Sequence, residues 1–174
     1  TKHDIRAMVQ LMAQACPPQL ARWWHIPLTS LDPLDTGRVL QFVRAYKGVL
    51  LPKMHEVVQI MVDLVLRLKN VLQIGRTHGQ HALPITVGFW LATILNRLLY
   101  NFREMDKRAD MLVGKISGAV GEYNAQRGLG FIRGSRSFES MVLKKLGLKP
   151  APISTQILPP APLAYFLFWA CQGQ

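Results

Sequence analysis

The sequence has little cysteine and no long run of uncharged apolar residues, and each shortage excludes a class of protein. Its two cysteines, Cys16 and Cys171, are far apart and form no CxxC or Cys/His pair, which argues against a disulfide framework or a zinc site. The longest uncharged window, residues 77–96, contains two histidines and a proline that would be costly in hydrocarbon. We therefore expect a soluble, cytoplasmic protein with reduced thiols and no membrane contact.

Acidic residues are also scarce. The chain has 21 Lys and Arg against 10 Asp and Glu, a formal charge of +11, so its surface should attract phosphates, polycarboxylates or nucleic acid. The basic residues are spread along periodic apolar segments, and the sequence contains no zinc-finger or RNP-type motif. This distribution disfavours nucleic acid and favours a small anionic ligand.

Both ends of the sequence indicate that it belongs to a longer chain. It begins at Thr1 without a Met and without a basic segment followed by an apolar run, so we expect no signal peptide. The apolar run at residues 163–170 is followed almost at once by the last residue, Gln174, and such a helix would expose much apolar surface. The 174 residues, 49% of them hydrophobic, suffice for the core of one domain.

Two segments have the apolar spacing of long amphipathic helices. Residues 37–70 repeat apolar side chains three and four apart, with a kink or restart expected at Pro52. Residues 86–113 repeat the same spacing, and Gly114 is expected to end that helix. Two helices of this length would each span about 45 Å. The sequence therefore predicts an elongated, all-α helical bundle that neighbouring copies of the chain help to cover, that is, a homo-oligomer.

Periodicity does not explain three glycine-bearing segments, at residues 25–36, 74–84 and 114–124, which we interpret as polar loops. Residues 138–146 are expected to form a short helix, followed by a proline-rich connection at 149–162.

His78 is the strongest candidate for chemistry. It lies in the run Gly-Arg-Thr-His-Gly-Gln at residues 75–80, just before the start of the second long helix. Backbone N–H groups and the helix dipole favour anions at such a position, and a histidine there can donate a proton. The alternative is a structural histidine that caps the helix or fills a gap in the core.

Five ordered motifs resemble the fumarase/aspartase superfamily and, within it, the adenylosuccinate lyases. GRTHGQHALPITVG, at residues 75–88, is similar to the second signature region of the superfamily, and LVGKISGAVGEYNA, at 112–125, is similar to adenylosuccinate lyases in particular. TKHD at residues 1–4 resembles the family's TxHD segment, and WHIPLTSLD at 24–32 resembles its first signature region. LGLKPAPISTQ, at residues 146–156, is similar to a later loop that contacts substrate.

The resemblance implies roles for particular residues. His78 would be the general acid that protonates the departing nitrogen, with Thr77 and Gln80 on the succinyl part of the substrate. His3 would bind phosphate or support His78.

The first signature region and the later loop would complete the binding site. Thr29 and Ser30 would hold a carboxylate, His25 would line the nucleotide pocket, and Gln156 would contact substrate from the later loop. For His3 and His25 a structural role remains equally open. The resemblance implies neither a metal nor an organic cofactor.

The family's catalytic base is a serine in a GSSxMPxKxNP loop, and no part of this sequence matches that pattern. Gly-Ser-Arg-Ser at residues 134–137 shares only its first letters, so we interpret it as a surface loop. The Leu-Pro-Pro-Ala-Pro run at 158–162 and Glu122 are two further departures from the family pattern.

The resemblance predicts a partial fumarase/aspartase-like fold, with residues 1–36 ending an N-terminal helical region and 37–174 forming part of the central bundle. The implied function is a C–N lyase of purine biosynthesis, homotetrameric in its full length, that releases fumarate from adenylosuccinate and from the related succinyl-aminoimidazole carboxamide nucleotide. This chain by itself would be incomplete for catalysis. Two alternatives are an argininosuccinate lyase or carboxymuconate cycloisomerase, against which KISGAVG at residues 115–121 argues, and a non-catalytic helical assembly relic.

Overall fold

The computed structural model describes residues 2–132 and 137–172, and helices predominate in it, as predicted. The helices are α1 (Asp4–Gln14), α2 (Pro18–Ala21), α3 (Leu31–Ala45), α4 (Leu51–Arg67), α5 (Val87–Ala109), α6 (Asn124–Gly128), α7 (Phe138–Leu146) and α8 (Ala161–Gln172). The strands are β1 (Leu72–Thr77), β2 (Gln80–Thr86), β3 (Val113–Gly114) and β4 (Lys149–Pro150).

The chain divides into two compact units, each built from two stretches of sequence. The first unit comprises Thr1–Val43 and Leu112–Leu163, and the second comprises Arg44–Met111 and Ala164–Gln174. The core of the first unit includes Val39, Ile116 and Leu143. That of the second includes Tyr46, Met54, Leu95, Met105 and Phe166.

The first long helical segment begins earlier than its apolar pattern predicts and is irregular before Pro52. Helix α3 starts at Leu31, and a π-helical turn at Tyr46–Leu50 connects it to α4. Proline has no N–H and its ring clashes with the carbonyl four residues before it. The wider turn, in which Leu51 N donates to the Tyr46 carbonyl, accommodates this defect, so the expected irregularity occurs one turn earlier.

Helix α5 starts where the sequence predicts but ends sooner. The Thr86 hydroxyl caps its start by accepting a hydrogen bond from Phe89 N at 3.0 Å. The helix ends at Ala109, so the prediction that it continues to residue 113 and is stopped by Gly114 is wrong. Val113 and Gly114 instead pair in parallel with Lys149 and Pro150.

The loop predicted at residues 74–84 is an antiparallel β-hairpin formed by β1 and β2. Most of its residues are exposed and none is buried, so the hairpin lacks the buried apolar face that marks a half-buried strand. Residues 25–36 and 114–124 also depart in part from the predicted loops, since α3 begins inside one and β3 extends into the other.

Helix α7 confirms the short helix predicted at residues 138–146. The Ser137 hydroxyl caps its start by accepting from Ser140 N, and Gly147 ends it with a φ of 74°.

Candidate functional site

His78 lies at the tip of the β1–β2 hairpin, in a two-residue turn between the paired residues Thr77 and Gln80. The φ angles of His78 and Gly79 are 53° and 74°, as in a type I′ turn. A left-handed conformation is uncommon for a residue with a side chain, and such strain is often found at functional sites. The turn therefore holds His78 in an exposed position at some cost to stability.

His78 neither caps helix α5 nor lies in the core of the described residues. Thr86 caps α5, and His78 is exposed rather than packed in a core. Thr77 and Gln80 flank it and are exposed as well. The hairpin thus presents a hydroxyl, an imidazole and an amide within four consecutive residues, a set that can donate hydrogen bonds and a proton to an anionic ligand.

In the first unit, His3 and Ser30 lie together. The His3 Nε2 and Ser30 Oγ atoms are 3.4 Å apart, and His3 Nδ1 accepts from Arg6 N, also at 3.4 Å, as the N-cap of α1. His3 Nδ1 also lies 3.4 Å from Asp4 Oδ1. His3 therefore has a structural role in capping α1 and also lies beside a predicted carboxylate-binding residue.

The backbone of Thr29 is held by Asp32, a residue to which the motifs assign no role in the site. Its N–H donates to Asp32 Oδ2 at 2.9 Å. Asp32 and Lys115 form an ion pair in which both side chains are 0% exposed. This pair connects the first signature region to the KISGAVG segment. Because the two residues are far apart in sequence, no local sequence pattern predicts their contact.

The later loop is also attached to this region. The hydroxyls of Ser117 and Ser154 are 2.8 Å apart, and Leu158 N donates to Asp35 Oδ2 at 2.9 Å. Gly121 lies so close to Ser154 that an added Cβ would be 2.1 Å from the Ser154 carbonyl oxygen. These contacts hold the loop on both sides of Gln156, whose own side chain is exposed.

A buried carboxylate also holds the KISGAVG segment. Glu139 Oε1 accepts from Ile116 N at 2.7 Å, and Glu139 Oε2 accepts from the Tyr123 hydroxyl at 2.8 Å. Burial, reinforced by the bond to this carboxylate, raises the pKa of Tyr123 to about 12. The Gln126 side chain donates to the Ile116 carbonyl.

The predicted site residues are divided between the two units. Thr77, His78 and Gln80 belong to the second unit. The first unit contains the half-buried His25 and Thr29, together with His3, Ser30 and Gln156. Of the proposed surface loop at 134–137, residues 134–136 lie outside the described residues.

Neither a metal site nor a membrane span occurs in the described ranges. Across 2–132 and 137–172, no group of three His, Cys, Asp or Glu could hold a metal ion. Within those same ranges, no helix has the length and apolar character that crossing a membrane requires.

Comparison with known proteins identifies the family. The chain is 38% identical over 159 residues to adenylosuccinate lyase of Archaeoglobus fulgidus, covering 91% of this chain and 34% of that protein. It is 35% identical over 159 residues to the Bacillus subtilis adenylosuccinate lyase, covering 91% of this chain and 35% of that protein. The chain thus spans about a third of the length of the curated relatives it matches.

A solved structure shows the same fold. The 3-carboxy-cis,cis-muconate lactonizing enzyme of Pseudomonas putida matches with a TM-score of 0.76 at 22% identity, over 97% of this chain and 37% of that one. This likeness shows the fold alone, and it agrees with the predicted helical fold class. A family model described as Lyase matches residues 2–172. This chain therefore belongs to the Lyase family and is similar over most of its length to adenylosuccinate lyases.

Proposed function

We propose that this chain is the part of an adenylosuccinate lyase that supplies the general acid and several donors for the anionic groups of the substrate. The observation that carries the proposal is the exposed position of His78 in a left-handed turn that Thr77 and Gln80 flank. The similarity to proteins named adenylosuccinate lyase supports the choice of substrate.

In the proposed reaction, a base removes a proton from the carbon beside a carboxylate of the succinyl group. The electron pair that remains forms the double bond of fumarate as the C–N bond breaks, and the departing nitrogen takes a proton from His78. Hydroxyl and amide donors on Thr29, Ser30 and Gln80 stabilise the charge that develops on the carboxylates. The nucleotide is released with its amino group restored.

The base is the part that this sequence does not supply, because none of its 174 residues forms the GSSxMPxKxNP pattern. In the proposed full-length enzyme, a cytoplasmic homotetramer of purine biosynthesis, other signature regions complete each site. Residues 1–36 then end an N-terminal helical region, and residues 37–174 form part of the central bundle. The net charge of +11 supports encounter with an anionic nucleotide.

The alternative is a carboxymuconate cycloisomerase, since one solved structure with this fold is named a 3-carboxy-cis,cis-muconate lactonizing enzyme. At 22% identity the neighbour shows the fold and not the substrate. The adenylosuccinate lyase relatives are more similar in sequence. The resemblance of KISGAVG at residues 115–121 to adenylosuccinate lyases supports the same choice.

A substrate panel tests the proposal. The complete protein should release fumarate from adenylosuccinate and from the succinyl-aminoimidazole carboxamide nucleotide, and should leave argininosuccinate and carboxymuconate unchanged. His78→Gln should lower turnover on the order of 100-fold or more without lowering Tm. His55→Gln, at an exposed position of α4, is the matched control and should stay within a few-fold of the unsubstituted protein. A protein that instead converts carboxymuconate or argininosuccinate contradicts the assignment.

A further inference from the structure

Asp32 is buried at the start of α3, and its carboxylate receives donors from two segments that are far apart in sequence. Its Oδ1 atom accepts from the Lys115 ammonium group and from Ser117 N at 3.2 Å. Its Oδ2 atom accepts from Thr29 N at 2.9 Å and from Gly118 N at 3.3 Å. One carboxylate therefore fixes the backbone of the first signature region against the backbone of the KISGAVG segment.

A contribution to the stability of the fold does not by itself explain why Asp32 and Lys115 form a buried ion pair. Removing two charges from water costs about as much as their attraction returns, and apolar replacements of similar volume are often equally stable. What an apolar pair cannot do is accept three backbone hydrogen bonds at fixed positions. The Asp32 carboxylate does this, and the Lys115 ammonium balances its charge within the core.

The two segments that Asp32 joins lead directly to the proposed binding residues. Thr29 and Ser30 form one side, and the backbone N–H of Thr29 is itself a partner of Asp32. On the other side, the Ser117 hydroxyl bonds to Ser154, two residues before Gln156. Asp32 thus sets the spacing between the hydroxyls of Thr29 and Ser30, in the first signature region, and the amide of Gln156, in the later loop.

We propose that Asp32, with Lys115 as its counter-ion, is a positioning residue that holds these loops at a fixed distance from each other. At that distance, Thr29, Ser30 and Gln156 can bind one dicarboxylate, the succinyl or fumarate part of the substrate. The inference rests on the function proposed above, because that function assigns Thr29 and Ser30 to the substrate's carboxylates and the family resemblance assigns Gln156 to the substrate. Asp32 itself is fully buried and acts through the loops it holds.

Three variants of the complete protein separate positioning from stability. Asp32→Asn leaves the Lys115 charge buried without its counter-ion, whereas Asp32→Asn combined with Lys115→Met removes both charges. Tyr46→Phe is the control, because it deletes a hydrogen bond from the buried Tyr46 to Asp106 in the second unit. For each variant we would measure Tm, the Kd of fumarate by calorimetry, and amide hydrogen exchange in peptides covering residues 28–31 and 115–121.

Asp32→Asn should lower Tm and weaken fumarate binding by about 10-fold or more, because an asparagine offers one acceptor oxygen where the carboxylate offers two. The double variant should recover most of the lost Tm while its fumarate Kd stays about 10-fold higher. Amide exchange should be faster in both peptides of both variants. Tyr46→Phe should lower Tm without changing fumarate affinity or exchange in these peptides.

Recovery of fumarate affinity together with Tm would overturn the proposal, since Asp32 would then act through stability alone. Unchanged exchange in either peptide, or an unsubstituted protein that does not bind fumarate, would overturn it as well. Failure of the proposed function would give a different result. The unsubstituted protein would bind fumarate but would not release fumarate from adenylosuccinate.

Discussion

The Tyr123 hydroxyl donates a 2.8 Å hydrogen bond to Glu139, whose other oxygen accepts from Ile116 N at 2.7 Å. Glu139 lies in the first turn of α7, so this carboxylate anchors the KISGAVG segment to that helix. Asp32 anchors the same segment by accepting from Ser117 N and Gly118 N. The segment is therefore fixed by two buried carboxylates.

The Tyr123–Glu139 bond predicts a loss of stability in strong alkali. Burial, the bond to Glu139, and the charges of Glu139 and Glu122 raise the pKa of Tyr123 to about 12, while Arg127 lowers it. The folded state thus holds the phenol proton more tightly than the unfolded state does, whose pKa is about 10. The resulting stabilisation is fully present below pH 10 and is lost as the pH rises from 10 to about 12.

The measurement is a pair of thermal melts for the unsubstituted protein and for Tyr123→Phe, which lacks the titrating group. At pH 9 the unsubstituted protein should have the higher Tm, and this difference should shrink steadily as the pH approaches 12. A difference in Tm that is constant across this range would show that ionisation of Tyr123 is not coupled to folding.

The turn that carries His78 predicts that two variants without the imidazole differ in Tm although both lose activity. His78→Asn should keep Tm or raise it by ~1–2 °C, because Asn-Gly is the preferred sequence of a type I′ turn. His78→Val should lower Tm by several degrees, because a β-branched residue in the left-handed region costs about 1–2 kcal/mol. Both variants should lose turnover to a similar extent. Turnover that followed Tm instead would mean that His78 acts through folding.

Gly121 should not tolerate alanine. Its φ is 84°, and an added Cβ would be 2.1 Å from the Ser154 carbonyl oxygen, so the loop before Gln156 must move. We expect Gly121→Ala to lower Tm and to raise the KM for adenylosuccinate. Gly128→Ala is the matched control, because a Cβ there has nothing within 4 Å. Equal KM values for the two variants would show that the loop does not depend on this close approach.

Exposed apolar side chains predict self-association of the chain. Val57, Ile60 and Leu66 on α4 are 44%, 59% and 59% exposed. On α5, Phe89, Trp90 and Tyr100 are 59%, 49% and 60% exposed. Surfaces of this kind are usually covered by a partner. Sedimentation at micromolar concentration should show a dimer or tetramer, and a helical monomer under those conditions would be evidence against this prediction.

Helices are predicted well from the sequence where their apolar spacing is regular. The short helix over residues 138–146 and the start of α5 at Thr86 are correct. The hairpin is not predicted from the sequence because β1 and β2 are mostly exposed. In addition, Gly75, Gly79 and Pro84 are residue types typical of loops. Its pairing comes from backbone hydrogen bonds across a tight turn, which leave no periodic trace in the side chains.

Motifs identify the candidate site residues but not the residues that support them. His78, Thr29 and Ser30 stand out by resemblance to known signature regions. In the sequence, Asp32 is only the last residue of the WHIPLTSLD motif, and Lys115 is only one residue of the KISGAVG motif. Their pairing is a contact between residues 83 positions apart, and only the three-dimensional structure shows it.

Fumarate release by the isolated chain is the decisive measurement for the proposed role of His78 and for the missing base. The chain alone is expected to release fumarate from adenylosuccinate at a negligible rate, since it lacks the base, and losing such a group commonly costs several orders of magnitude. The same chain mixed with a fragment that carries the GSSxMPxKxNP loop should gain activity, and His78→Gln should abolish that gain. Rapid turnover by the chain alone, or a mixture whose activity does not depend on His78, would contradict the proposed function.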